Sequence, residues 1–231
     1  MTKRLVQYWV IAPEANAEFV AHMEEVLEVY ARPYDPSHPV VCMDEQPVQL
    51  LKETRTPIEA TFQHGRRVDY EYERNATASI FLFAEPLAGF RQATARSQRT
   101  KVEWAMEVAQ LLDGRYAGCE RVTLVMDNLN THTKGAFYEA FSPEVARGYL
   151  RRLEFCHTPK HGSWLNVAEC ELSCLTSQCL AGRRLGELEH LQSEIGSWSE
   201  KTNSRQRGVD WHFEVSDARQ KLKRLYPKIK A

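Results

Sequence analysis

Three acidic positions in this sequence stand where carboxylates can do chemistry. Asp44 follows the apolar run Val40-Val41-Cys42-Met43, Asp127 follows Val122-Thr123-Leu124-Val125-Met126, and a glutamate, Glu169 or Glu171, lies on an apolar helix starting near Trp164. An aspartate that closes a buried strand sits where the chain leaves the sheet, the usual edge for sites in α/β proteins. Asn128 and Asn130 suit the turn that follows. Carboxylates brought together repel one another unless divalent cations neutralise them. An oxygen-only ligand set favours Mg²⁺ or Mn²⁺. Two such ions about 4 Å apart would activate a water or a 3′-hydroxyl and stabilise the leaving oxygen in phosphodiester cleavage. Taken singly, a strand-end aspartate is more often a turn residue and a helical glutamate is usually solvated.

The elements that must position these acids follow from apolar spacing. Leu153, Phe155 and His157 alternate with Glu154 and Cys156 as in a short strand, and Pro159, Gly162 and Ser163 then break regular structure. Leu165, Ala168, Leu172, Leu175 and Cys179 recur at three- and four-residue steps, the stripe of an amphipathic helix. Glu169 and Glu171 fall on opposite margins of that stripe, and the helical wheel does not separate them. A carboxylate held near a core face needs a cation to meet.

Upstream, residues 14–31 read as a helix with Phe19, Met23, Val26 and Leu27 inward, and residues 40–51 as the strand carrying Asp44. A polar excursion spans Lys52 to Arg67. Residues 71–96 read as two strands joined through Pro86 and Gly89, and residues 101–114 as a helix closed by Gly114. The run before Asp127 is almost continuously apolar, as in a central strand buried on both faces. Residues 134–150 are helical in two pieces broken at Ser142-Pro143, another helix lies near 187–200, and a basic tail runs from Arg219 to Lys230.

Composition fits this α/β reading. The chain has 231 residues, 43% hydrophobic and 26% charged, with a formal net charge of −1, values of an ordinary soluble domain. No global positive field announces nucleic acid, but basic groups cluster locally at Arg66-Arg67, Arg96 to Lys101, Arg151-Arg152 and Arg183-Arg184. The six cysteines contain no C-x-x-C pair and read as small buried hydrophobes in a reducing compartment. The N-terminal apolar run stops at Pro13 and is no signal peptide. No window is long enough to cross a membrane, so a soluble, intracellular protein is expected.

The segments "VVCMDEQPVQLL", "YEYERNATASIFLFAEPLAG", "VMDNLNTHT", "LEFCHTPKHGSWLNVAECELS" and "DARQKLKRLYP" together resemble the DDE transposases of the mariner-like superfamily, nearest the bacterial insertion-sequence group called six-thirty. The resemblance runs in order from about Pro13 to Pro227. It implies an RNase H-like α/β fold, with a mixed central sheet flanked by helices. It also implies that Asp44, Asp127 and Glu169 are the catalytic acids and ligands of two Mg²⁺ ions, with Mn²⁺ as substitute, and so selects Glu169 over Glu171. The implied activity is DNA strand cleavage and strand transfer. The implied partners are DNA, as terminal inverted repeats and a TA target, and a second copy in a homodimer. The expected location is cytoplasmic, on the nucleoid when DNA is bound.

Lys160, His161, Arg151 and Arg152 flank the expected site in sequence and are candidate phosphate contacts. His132 would meet the substrate or bond its own turn, His157 would touch phosphate or lie on the surface, and Trp164 suits a packing anchor. Asn166 would hydrogen-bond the site loop. The expected organisation is an N-terminal linker and helix over 1–35, a catalytic domain over 36–201 and a basic extension over 202–231. Family members usually carry a helix-turn-helix module before the catalytic domain, and residues 1–43 do not read as one, which raises a separate DNA-binding protein as partner. Two other functions share these residues: a non-catalytic module regulating an intact transposase, and an RNase H-like nuclease without strand transfer.

Overall fold

A computed structural model describes residues 15–228. Five strands form one mixed sheet in the order β3-β2-β1-β4-β5, with β1 Val40–Glu53, β2 Tyr72–Glu85, β3 Phe90–Arg96, β4 Val122–Met126 and β5 Leu153–His157. The first three are antiparallel neighbours, whereas β1, β4 and β5 run parallel. Antiparallel strands need only a turn between them, while each parallel return requires a crossover. The crossovers are α2 (Lys101–Asp113) between β3 and β4, and the pair α3 (Lys134–Ala140) and α4 (Pro143–Arg151) between β4 and β5. Pro143 opens α4, where its missing N–H costs no helical bond.

The sheet is covered on both faces, which accounts for the unbroken apolar run of β4. Val41, Met43, Phe81, Phe83, Leu124 and Met126 pack with Trp104 and Leu112 of α2 and Phe137 of α3. The alternate residues, including Cys42, Ile80, Leu82 and Val125, face a second layer. That layer contains α1 (Ala17–Tyr30), α5 (Val167–Leu175), α6 (Leu188–Asn203) and α7 (Val215–Lys221). A period of two along each strand thus divides one hydrophobic set between two cores.

Pro47 lies inside β1 opposite Ser79 of β2. The pairing of β1 with β4 ends at Cys42, so one edge of β1 is free by residue 47 and a proline is tolerated there. The polar excursion after β1 holds only the isolated bridge Ile58–Arg67.

One expectation is revised. Cys42, Cys156 and Cys179 are buried, but Cys170 and Cys174 are exposed, because they fall one turn apart on the outer side of α5, away from Ala168, Leu172 and Leu175. In the basic C-terminal segment α7 packs on α1, where Arg219 grips Glu24 through two hydrogen bonds of 2.9 and 2.8 Å. Residues 1–14 and Lys230 lie outside the described residues. No described helix is long and apolar enough to cross a membrane.

Candidate active site

The parallel register of β1 and β4 brings the two aspartates level. The last pair is Cys42–Val125, and Asp44 and Asp127 each stand two residues beyond it. Strand alternation turns Asp44 to the side of Cys42, the side on which α5 packs, and α5 carries Glu169 in its first turn. Asp44 and Glu169 line one hollow of about 440 Å³ with Ser173 and Thr176. Asp127 opens onto a neighbouring cavity of about 590 Å³ with Asn128, Lys160 and His161.

Asn166 fixes α5 against β1. Its side-chain oxygen accepts a hydrogen bond from the Ala168 amide and caps the helix, while its Nδ2 donates to the Met43 carbonyl at 2.9 Å. One buried side chain therefore ties the start of the helix bearing Glu169 to the residue before Asp44. The tie to α1 is the Tyr30 hydroxyl, which donates to the Leu165 carbonyl at 2.7 Å. Trp164 packs edge-on against Phe213, the anchoring role expected of it.

The two glutamates of α5 separate clearly. Glu169 is exposed at the hollow. Glu171 is buried and meets Arg91 of β3 at 2.6 Å. The rule that a carboxylate near a core face needs a cation therefore describes Glu171.

Asp44 senses both of the other acids. Burial pushes the Asp44 carboxyl up to about 6, and the charges of Asp127, Glu169 and Glu45 add to the rise, against a hydrogen bond from the Glu45 amide. Beneath them lies His132, whose side chain is fully enclosed. Its Nε2 is 3.1 Å from Glu45 Oε1, its ring stacks on Trp104, and its Nδ1 lies 3.2 Å from the Asp127 carbonyl oxygen. Nδ1 is also 2.9 Å from Asp127 Oδ1, an ion-pair distance without hydrogen-bond alignment, so Oδ1 is buried with no hydrogen-bond donor. Burial opposes a charge on His132, but its contacts with Asp127 and Glu45 raise its pKa to about 9. Arg99 approaches the other Glu45 oxygen at 3.3 Å.

Glu45 was missed in the sequence. Its signal was present: an acid beside Met43 in an apolar strand, turned by alternation toward the α2 side, requires a partner there. His132 bonds its own turn, one of the two roles open to it, and reaches β1 as well. His157 is half-buried at the end of β5, and burial holds it below the usual histidine range.

The four expected phosphate contacts do not stay together. Lys160 and His161 follow β5 and line the Asp127 cavity. Arg151 and Arg152 precede β5, whose residues pair level with β4 from Val122–Leu153 to Met126–His157. Five residues at about 3.3 Å each carry them to the far end of the sheet. Arg151 lines a hollow with Asp35, Glu120 and Glu154 there. The Arg152 guanidinium donates to the carbonyls of Leu112, Tyr116, Ala117 and Cys119. Arg151 and Arg152 adjoin the acids in sequence only.

As a donor set, three carboxylates and no nitrogen or sulfur suit a hard divalent ion. Among the described residues, however, no three His, Cys, Asp or Glu side chains are gathered as a ready metal cage. The acids sit at an open edge.

Known proteins share this arrangement of elements. The catalytic domain of Mos1 mariner transposase superposes with a TM-score of 0.54 at 13% identity, over 90% of this chain and 94% of that one. The Mos1 paired end complex with Mn gives 0.54 at 14% identity over 89% of this chain and 63% of that one, so this chain spans less than two thirds of that transposase. The Mos1 strand transfer complex gives 0.55 at 12% identity, over 91% and 68%. At these identities the likeness concerns the fold, which is the RNase H-like fold expected from the sequence. No curated protein matches by sequence. A family model described as DDE superfamily endonuclease matches residues 39–192, from the start of β1 into α6, and with most of its length so matched the chain belongs to the DDE superfamily endonucleases.

Proposed function

We propose that this chain is the catalytic domain of a mariner-like transposase that cleaves a DNA phosphodiester and transfers the freed 3′-hydroxyl to target DNA, with Asp44, Asp127 and Glu169 as its acids. The observation that carries this reading is the shared register of Asp44 and Asp127 beyond the Cys42–Val125 pair, with Glu169 across the hollow from Asp44. The three carboxylates would hold two Mg²⁺ ions, or Mn²⁺ in their place. When bound, these ions supply Lewis-acid activation of the attacking oxygen and charge stabilisation of the leaving one.

The chain's own contribution is placement. Asp44 and Asp127 are fixed by a packed parallel sheet, and Asn166 sets the position of Glu169 relative to β1. His132 orients the exit of β4 against Glu45. In the first step a water oxygen forms a bond to phosphorus, the P–O3′ bond breaks and the 3′ oxygen leaves as hydroxyl. In the second that hydroxyl attacks a target phosphodiester and expels a 3′ oxygen of the target strand. In each step the proton released by the attacking oxygen is balanced, through solvent, by the one the departing 3′ oxygen takes up. Lys160 and His161 beside Asp127 are the candidate phosphate contacts that remain near the acids. DNA with terminal repeats and a TA target, a homodimer on the DNA, a separate DNA-binding partner and an intracellular site of action belong to the same proposal.

The test is a Mg²⁺-dependent assay on DNA carrying a pre-cut 3′ end. Joined product from the wild type, absent in Asp44→Asn, Asp127→Asn and Glu169→Gln, supports the reading. Nicking without joining would point to a nuclease instead, and activity in any of the three variants would remove that acid from the site.

A further inference from the structure

We propose a second phosphate-binding site in the cavity between α5, α6 and residues 205–210, holding the backbone of the nucleic-acid strand that passes the acids. The nature of its ligand rests on the transposase reading. The geometry of the site does not.

Most clustered cations of this chain are already engaged. Arg96 pairs with Glu107, Arg99 with Glu45, Arg183 with Glu194, Arg184 with Glu53 and Arg219 with Glu24. Arg152 is committed to backbone carbonyls. A cation satisfied by a carboxylate adds little to phosphate binding, so the cations that matter are those outside such pairs. Among the described residues Lys201, Arg205 and Arg207 are in no ion pair, are exposed, and line one cavity of about 750 Å³. The acids in its wall are answered, Glu171 by Arg91 at 2.6 Å and Glu194 by Arg183 at 2.5 Å, while Asp210 stands beside His212. In a chain of net charge −1, this is a local concentration of free positive charge.

The turn presenting Arg205 and Arg207, which follows α6, is held in place. Asn203 accepts from the Arg91 amide and donates to the Arg91 carbonyl, both at 2.7 Å, and Arg91 Nη1 donates to the Arg207 carbonyl at 2.6 Å. The Val209 amide donates to the Pro86 carbonyl at 2.8 Å. Gly89, at φ 66°, lies so close that a Cβ there would sit 2.7 Å from the Gln206 carbonyl carbon. Arg205 and Arg207 thus stand on a fixed turn, Lys201 on the last turn of α6 before it, and the floor between them is a buried ion pair.

The cavity adjoins the acids through α5. Glu169 faces the catalytic hollow, while Cys170, Glu171 and Cys174 line this cavity. A strand crossing the N-terminal end of α5 would bring successive phosphates from the acids to these cations. Phosphate contacts of this kind position a strand without reading its sequence.

The test measures binding of the full chain to duplex DNA in EDTA over a series of salt concentrations. Lys201→Ala/Arg205→Ala/Arg207→Ala should flatten the slope of log affinity against log salt by about 2–3, near 0.9 per lost phosphate contact. A control removing equal charge elsewhere, Lys223→Ala/Arg224→Ala/Lys228→Ala, should leave it unchanged. DNA should also slow alkylation of the exposed Cys170 and Cys174 in the wild type and not in the first triple variant. Equal slopes for both variants would overturn the proposal. Protection of the cysteines by pyrophosphate but not by DNA would overturn the strand assignment in favour of a small anion. Because EDTA removes any metal, loss of strand transfer in the catalytic assay would sink the transposase reading without touching this result.

Discussion

Glu169 and Glu171 are two residues apart on one helix, and their surroundings give them different work. Removing the Glu171 charge leaves Arg91 buried and unanswered, a class of change that costs about 3–5 kcal/mol. Glu171→Gln should therefore lower the melting temperature markedly while its folded fraction still cleaves DNA. Glu169→Gln should do the opposite, losing cleavage with an unchanged melt, because its carboxylate is exposed. Thermal denaturation beside a nicking assay separates them; an unstable Glu169→Gln with a stable, inactive Glu171→Gln would reverse the roles.

At the level of elements, the joint between β1 and α5 rests on Asn166. Asn166→Ala removes a helix cap worth about 1 kcal/mol and leaves the Met43 carbonyl without its donor. Asn166→Asp keeps the cap oxygen but cannot donate to Met43. If the tie to β1 positions Glu169, Asn166→Asp should lose Mn²⁺ affinity, read by calorimetry, beyond its loss of stability. Unchanged affinity would reduce Asn166 to a cap. The π-helical turn Thr176–Leu180 that continues α5 keeps Cys179 in the core, so the apolar stripe survives a change of helical pitch that its spacing does not reveal.

At the level of the whole molecule, two measurements report on integration. Mutual repulsion of the acids is relieved by a bound divalent ion, so Mg²⁺ or Mn²⁺ should raise the melting temperature by mass action, about 2.7 kcal/mol at a hundredfold excess over Kd. The effect should vanish in Asp127→Asn; an equal shift there would reduce it to ionic strength. The clasp between α1 and α7 should be pH-dependent. The hydrogen bond from Arg219 lowers the Glu24 pKa below its usual value, aided by the Tyr226 hydroxyl and against the effect of burial. A depressed carboxylate contributes stability above its unfolded pKa of about 4.3 and loses it as pH falls through the folded value. Wild type and Glu24→Gln should differ at pH 7 and converge in acid melts taken below the folded Glu24 value. Parallel curves would show that the clasp contributes nothing.

Apolar spacing was enough to read the strands and most of the helices, with the face each turns inward. The run before Asp127 required a strand buried on both sides, and the stripe from Leu165 to Cys179 required a helix with one core face, because apolar residues must leave water whatever the neighbouring elements are. The family motifs named the acids. Which groups meet depended on how the layers pack. The parallel register sets Asp44 level with Asp127, and α5 turns Glu171 to Arg91 while Glu169 faces the hollow. Glu45 gains His132 from 87 residues away. The direction of β5 takes Arg151 and Arg152 to the opposite end of the sheet from Lys160. Periodicity reports how a residue faces its own element, whereas ion pairing depends on distances between elements, and those are fixed only when the layers pack.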